Sequence, residues 1–102
     1  MKLEVWNDAV NLFELVYNNL STIHIDLKSR SQIIDSAQSV SANIAEGYCR
    51  RSINEYLYFL NVALGSLGEL MTRLIGLHSV NIINNEQFYN IDEFHYKVRI
   101  NY

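Results

Sequence analysis

SINEYLYFLNVALGSLGELMTRLIGL, residues 52–77, decides the fold. Ile53, Leu57, Leu60, Leu64, Leu67, Met71 and Leu74 recur at steps of three and four, which lines one side of an α-helix. Ser52 followed three residues later by Glu55 is a capping box: the hydroxyl accepts the orphan N–H of residue 55 and the carboxylate reaches back toward residue 52. The spacing predicts a helix that starts after Arg51 and ends near Leu77. Phe59, Ala63, Leu70 and Leu77 fall beside the main stripe and widen the apolar arc to about 160° at 100° per residue. A small bundle needs an arc only a little wider than about 100°. The surplus has two readings: edge residues half covered by neighbouring helices, or a contact surface for another copy of the chain. The same helix carries Gly65, Gly68 and Gly76, each costing about 1 kcal/mol against alanine, and their clustering suggests the close approach of another backbone.

Upstream, Ile33, Ala37, Val40, Ile44 and Tyr48 share one face of a second helix, with Asp26 and Ser29 as candidate N-caps; Ser29 and Gln32 have capping-box spacing. The opposite side reads Gln32, Ser36, Ser39, Asn43, Gly47 and Arg50, small and mostly uncharged. That is either a seam between copies or a surface poor in charge. Trp6, Ala9, Val10, Phe13, Val16, Tyr17 and Leu20 predict a first helix over about 2–20. Downstream, Asn81, Asn84 and Asn85 mark a turn, and Phe88, Ile91, Phe94, His95, Val98 and Tyr102 predict a fourth helix from about Glu86. The chain has no proline, the commonest helix breaker. Four amphipathic helices with short links imply an all-α, antiparallel up-down-up-down four-helix bundle in one domain, residues 1–102.

Composition narrows the function. At 102 residues with 49% hydrophobic and 19% charged side chains, the chain is too apolar for disorder. No stretch of about 18 residues is free of strong polar groups, so no membrane span is expected. Glu4, Asn7 and Asp8 interrupt any apolar leader. One cysteine, Cys49, makes neither an internal disulfide nor a zinc site, and a reducing cytoplasm fits best. His24, His78 and His95 lie on three segments without metal-ligand spacing; His78 and His95 read as core-edge residues. Arg50 and Arg51 follow Cys49 directly, but no adjacent histidine is available to act as its base. No catalytic residue, cofactor, metal or small-molecule substrate is expected. Glu46 and Arg50 stand in the favourable i,i+4 order, as a structural pair at the corner or as part of a contact site. Eight Lys and Arg face eleven Asp and Glu, net charge −3, so no general positive field attracts nucleic acid. The one basic-aromatic cluster is Arg50 and Arg51 with Tyr48, Tyr56 and Tyr58.

Residues 32–71 also carry a resemblance. Gln32-Ile33, Ser39-Val40, Asn43-Ile44-Ala45-Glu46-Gly47-Tyr48, Arg50-Arg51-Ser52, Glu55-Tyr56 and the run from Phe59 to Leu70, with Leu3-Glu4-Val5-Trp6 and Ala9 at the start, resemble the bacterial four-helix-bundle family of the 23S rRNA intervening-sequence protein. The resemblance implies a bundle assembling as a ring, a homopentamer, encoded in insertions within ribosomal RNA genes or elsewhere in bacterial genomes. It implies no enzymatic activity, and the family's molecular role is unsettled. A distant relative, the accessory protein of diversity-generating retroelements, is similar in assembly and associates with nucleic acid and a reverse transcriptase.

The chain departs from the family pattern at Gln32-Ile33-Ile34-Asp35, where Gln-x-Arg-Arg is usual, at Ser41 in place of a proline, and at Cys49 in place of a glycine. Losing the arginines weakens the inference of RNA binding. Two expectations follow: a self-assembling bundle with Gln32, Ser36, Ser39, Phe59, Ala63, Leu70 and Leu77 at the seam, and, as the alternative, an RNA- or DNA-associated accessory protein using Asn43, Glu46, Tyr48, Arg50 and Arg51 repeated around the ring.

Overall fold

A computed structural model describes residues 3–101 and contains four helices, α1 (Leu3–Leu20), α2 (Leu27–Tyr48), α3 (Ile53–Ser79) and α4 (Asn85–Asn101). The first residue expected of α1 and Tyr102 of the α4 stripe lie outside the described residues. Each helix packs on the one before it and α4 closes against α1, with the α2–α3 contact the most extensive and the α3–α4 contact the least.

Local chemistry sets the boundaries. Asp26 caps α2: its carboxylate accepts the Ser29 N–H at 3.0 Å. Ser29 is therefore the recipient of the cap and not the cap itself. This backbone hydrogen bond, joined by the Ser29 hydroxyl, holds the Asp26 carboxyl below its ordinary value of 3.8. Because its folded value is depressed, the charged cap stabilises the protein above pH 3.8, and the gain is lost as pH falls through the lowered value. Asp26→Ala is expected to lower the melting temperature at pH 7, and the gap from the parent should shrink in melts recorded progressively below pH 3.8. Ser52 caps α3 by accepting the Glu55 N–H at 3.0 Å, while the Glu55 carboxylate turns to Arg50, so the box forms by half. At the far end the N–H groups of Asn81 and Ile82 bond to the carbonyls of His78 and Leu77, and Asn81 takes φ 63°. This is a Schellman stop with asparagine in the left-handed position. Asn84 and Gln87 cap α4 reciprocally, each side chain accepting the other's backbone N–H.

The core runs through Val5, Ala9, Leu12, Val16 and Leu20 of α1, Ile33, Ala37, Val40 and Ile44 of α2, Ala63, Leu67, Leu70, Met71 and Leu74 of α3, and Ile83, Ile91 and Val98. Two stripes lie off their expected centres. In α1, Val5 and Leu12 are buried and Tyr17 is exposed, so the true stripe is rotated from the one read in the sequence. In α3 the buried arc is rotated in the same sense. Ala63 and Leu70, expected at a seam between copies, are buried inside the chain, whereas Ile53 and Leu57, expected in the core, are exposed. The cause is the arrangement of neighbours: α3 meets both α2 and α4, so its buried arc spans both flanks and is centred between them.

Candidate partner-contact site

The small polar side of α2 is not a free surface. Ser36 is buried and its hydroxyl donates to the Gln32 carbonyl. The Ser39 hydroxyl meets that of Ser66 on α3 at 2.8 Å. Asn43 donates to the Ser39 carbonyl and hydroxyl. Arg73 of α3 donates to the Gln32 amide oxygen at 2.9 Å and also to Glu69. These groups form the polar rim of the α2–α3 contact within one chain: of the three α2 residues expected at a seam between copies, Ser36 is buried inside the chain, while Gln32 and Ser39 are half-exposed and bond across to α3. A groove of about 280 Å³ runs along this rim. Leu77 packs on the core, and Phe59 is half-buried, so neither is a free apolar knob.

Gly47 explains how closely the two helices approach. A Cβ there would stand 3.3 Å from Phe59 Cβ and 3.3 Å from the Tyr56 carbonyl oxygen. The same test at Gly65, Gly68 and Gly76 finds nothing within 4 Å. The three glycines expected to admit another backbone meet none within the chain, and the close approach falls at Gly47.

The α2–α3 corner then takes shape from these residues. Arg50 is ion-paired to Glu46 one turn back and lies 3.8 Å from Glu55, and its guanidinium stands 4.8 Å above the Phe59 ring. It acts as a strut tying the end of α2 to the first turns of α3. Arg51 has no carboxylate partner among the described residues. It borders a hollow of about 360 Å³ with Gly47, Tyr48, Ser52, Ile53 and Tyr56. The Tyr48 and Tyr56 rings pack tilted against each other, centroids 5.4 Å apart at 56°. Hydrogen bonding to Tyr48, helped by burial, raises the Tyr56 phenol above its usual 10.0. Of the expected contact set, Glu46, Tyr48, Arg50 and Arg51 come together at the corner, while Asn43 turns to the serine rim. The charges balance, two carboxylates against two guanidiniums, and Arg50 is occupied. Arg50→Ala is expected to cost roughly 1 kcal/mol through the lost stack and ion pairs, and Arg51→Ala less than about 0.5 kcal/mol; urea unfolding of the two variants checks this.

The sequence reading missed Arg30, which donates to the carbonyls of Leu20 and Ile23 and so closes the end of α1 onto α2. An arginine ten residues beyond a helix end leaves no local signature. It also left the remaining exposed face of α3 undescribed. Ile53, Leu57, Tyr58 and Ile75 are 66%, 48%, 62% and 53% exposed. Glu55 and Glu69 are the only charged residues among the exposed positions of this helix.

The fold and this corner define a small all-α bundle with an ion-paired corner between its second and third helices. The model of the 23S rRNA-intervening sequence protein family matches residues 1–99, and the chain belongs to that family. It is similar to the crystal structure of a protein of unknown function from the S23 ribosomal protein family of Bacteroides thetaiotaomicron, with 27% sequence identity and a TM-score of 0.71 over 94% of this chain and 85% of that one. No curated protein matches it. Among the described residues no helix is long and apolar enough to cross a membrane.

Proposed function

We propose that this chain is a non-enzymatic, self-assembling member of its family, a homo-oligomer for which the family resemblance implies a ring of five. The observation that carries this reading is the apolar surface left outside the bundle. Ile53, Leu57, Tyr58 and Ile75 on α3, and Tyr89, Tyr96 and Ile100 on α4, are all about half exposed or more. Large apolar side chains left exposed on two neighbouring helices suit an interaction surface better than a solvated one. On the α4 wheel the exposed row stands beyond Phe88, which stacks on His78 of α3 at 4.4 Å. Both rows therefore border the outer side of the α3–α4 contact. Light scattering coupled to gel filtration tests the reading. A mass of several times 11.9 kDa is expected, and a monomer at 100 μM chain rejects it.

A second reading keeps the nucleic-acid expectation, and its support is Arg51 beside the tyrosine-lined hollow. Repeated around a ring, this arginine supplies one phosphate contact per chain. Affinity for RNA that falls as salt rises supports that reading; no affinity at 50 mM salt in a binding titration removes it.

A further inference from the structure

We propose that the α2–α3 rim is a binding site for a small aliphatic primary ammonium ion. The groove of about 280 Å³ along it is lined by Gln32, Asp35, Ser39, Ser66, Glu69 and Arg73. A second hollow of about 210 Å³ lies over Ser29, Ile33, Gly76 and Leu77, and Arg73 borders it too. The two share that side chain and form one trough with a polar end and an apolar end. Helix geometry spaces its parts. Ser39 meets Ser66 and Gln32 meets Arg73, and the two crossings stand about 10 Å apart along each helix at 1.5 Å per residue. Asp35 and Glu69 fall between them.

The polar end carries one uncompensated negative charge. Arg73 donates to Glu69 Oε1 through both Nε and Nη2, which balances that carboxylate and leaves its Oε2 free. Asp35 has no cationic partner among the described residues, and no cation but Arg73 lines the groove. The hydroxyl pair adds an acceptor. Asn43 donates to Ser39 Oγ, and one hydrogen bond joins Ser39 to Ser66. Whichever hydroxyl donates in that bond, Ser66 Oγ keeps a free lone pair. The Asp35 carboxylate, Glu69 Oε2 and Ser66 Oγ thus match the three N–H donors of a primary ammonium.

Other ligand classes fit less well. A neutral polyol leaves the Asp35 charge without a partner, and an anion meets that charge directly. A divalent cation needs a fuller cage of oxygens, and among the described residues no group of three or more acidic, histidine or cysteine side chains converges. The apolar end selects the rest of the molecule. Ile33 is buried, Leu77 is half-buried, and nothing stands within 4 Å of the place a Cβ would take at Gly76. That hollow is open to a short alkyl chain, which crosses the methylene stem of Arg73 on its way from the carboxylates. A few placed polar groups beside an apolar recess are the ordinary make-up of a small-molecule site.

The test titrates the full chain, isotopically labelled for amide NMR, with 3-methylbutylammonium, and with 3-methylbutanol and 4-methylpentanoate as its uncharged and anionic matches. The amine should move the backbone amides of Asp35, Ser39, Ser66, Glu69 and Gly76 and saturate with a Kd of about 1–10 mM, the range open to so small a ligand on a shallow site. At low salt the alcohol and the carboxylate should bind at least about fivefold more weakly, the factor that one charge pair supplies at a surface. Asp35→Asn, at an exposed position, should weaken the amine by about the same factor while the melting temperature holds. Gly76→Leu should weaken it by filling the hollow. No saturable shift at about 50 mM amine, an alcohol that binds the parent chain as well as the amine does, or an amine affinity unchanged in both variants overturns the proposal.

Discussion

Leu70→Ala lowers the unfolding free energy by about 2–5 kcal/mol, the cost of emptying a closed site in a packed core. Leu70 is fully buried, as are its core neighbours Leu67 and Leu74 to within 2%. The side chain sits on the flank of α3 that meets α2, where Ser66 and Arg73 also bond across. A core role and an interface role give opposite patterns. A core leucine shifts the urea midpoint with the slope nearly unchanged and leaves the folded mass alone. An interface leucine changes the mass and spares the chain's own stability. The midpoint shift is the expected pattern; an altered mass with unaltered stability would contradict it.

Gly47→Val is the second large effect. Phe59 Cβ and the Tyr56 carbonyl oxygen, each 3.3 Å from the added Cβ, belong to or adjoin the α3 backbone, so neither can swing aside. A branched side chain must push α2 away from α3 and strain the Arg50 stack on Phe59, at about 1–3 kcal/mol for overpacking. Gly47→Ala should be close to neutral, since a helix-propensity gain of about 1 kcal/mol offsets a shift of a few tenths of an ångström. Urea midpoints ordered parent near Ala, both well above Val, check the account; a stabilised valine variant would show that the corner is loose.

These two residues also show how far the sequence can be read. Periodicity located all four helices because each buries a continuous stripe, and Ser52 and Asn81 marked the ends of α3 through local bonds that need no tertiary partner. What periodicity could not supply was the angle at which each stripe faces its neighbours. Leu70 and Leu57 lie on opposite edges of one wide arc, and only the positions of α2 and α4 decide that the first is buried and the second exposed. The serine side of α2 was ambiguous for a related reason. Small polar residues suit any close helix contact, and α3 of the same chain satisfies them before a second copy is needed. The corner was legible through the Glu46–Arg50 spacing. The occupation of Arg50 by Glu55 and Phe59, and the reach of Arg30 back to Leu20, depend on how the helices are set side by side.

Coupling between folding and association tests the central claim most directly. The urea midpoint of the unmodified chain, measured over a hundred-fold range of chain concentration, should climb as the chain becomes more concentrated, because an associating copy binds the folded state alone. A midpoint that stays constant across that range, with a mass of 11.9 kDa throughout, would mean that the bundle is complete by itself.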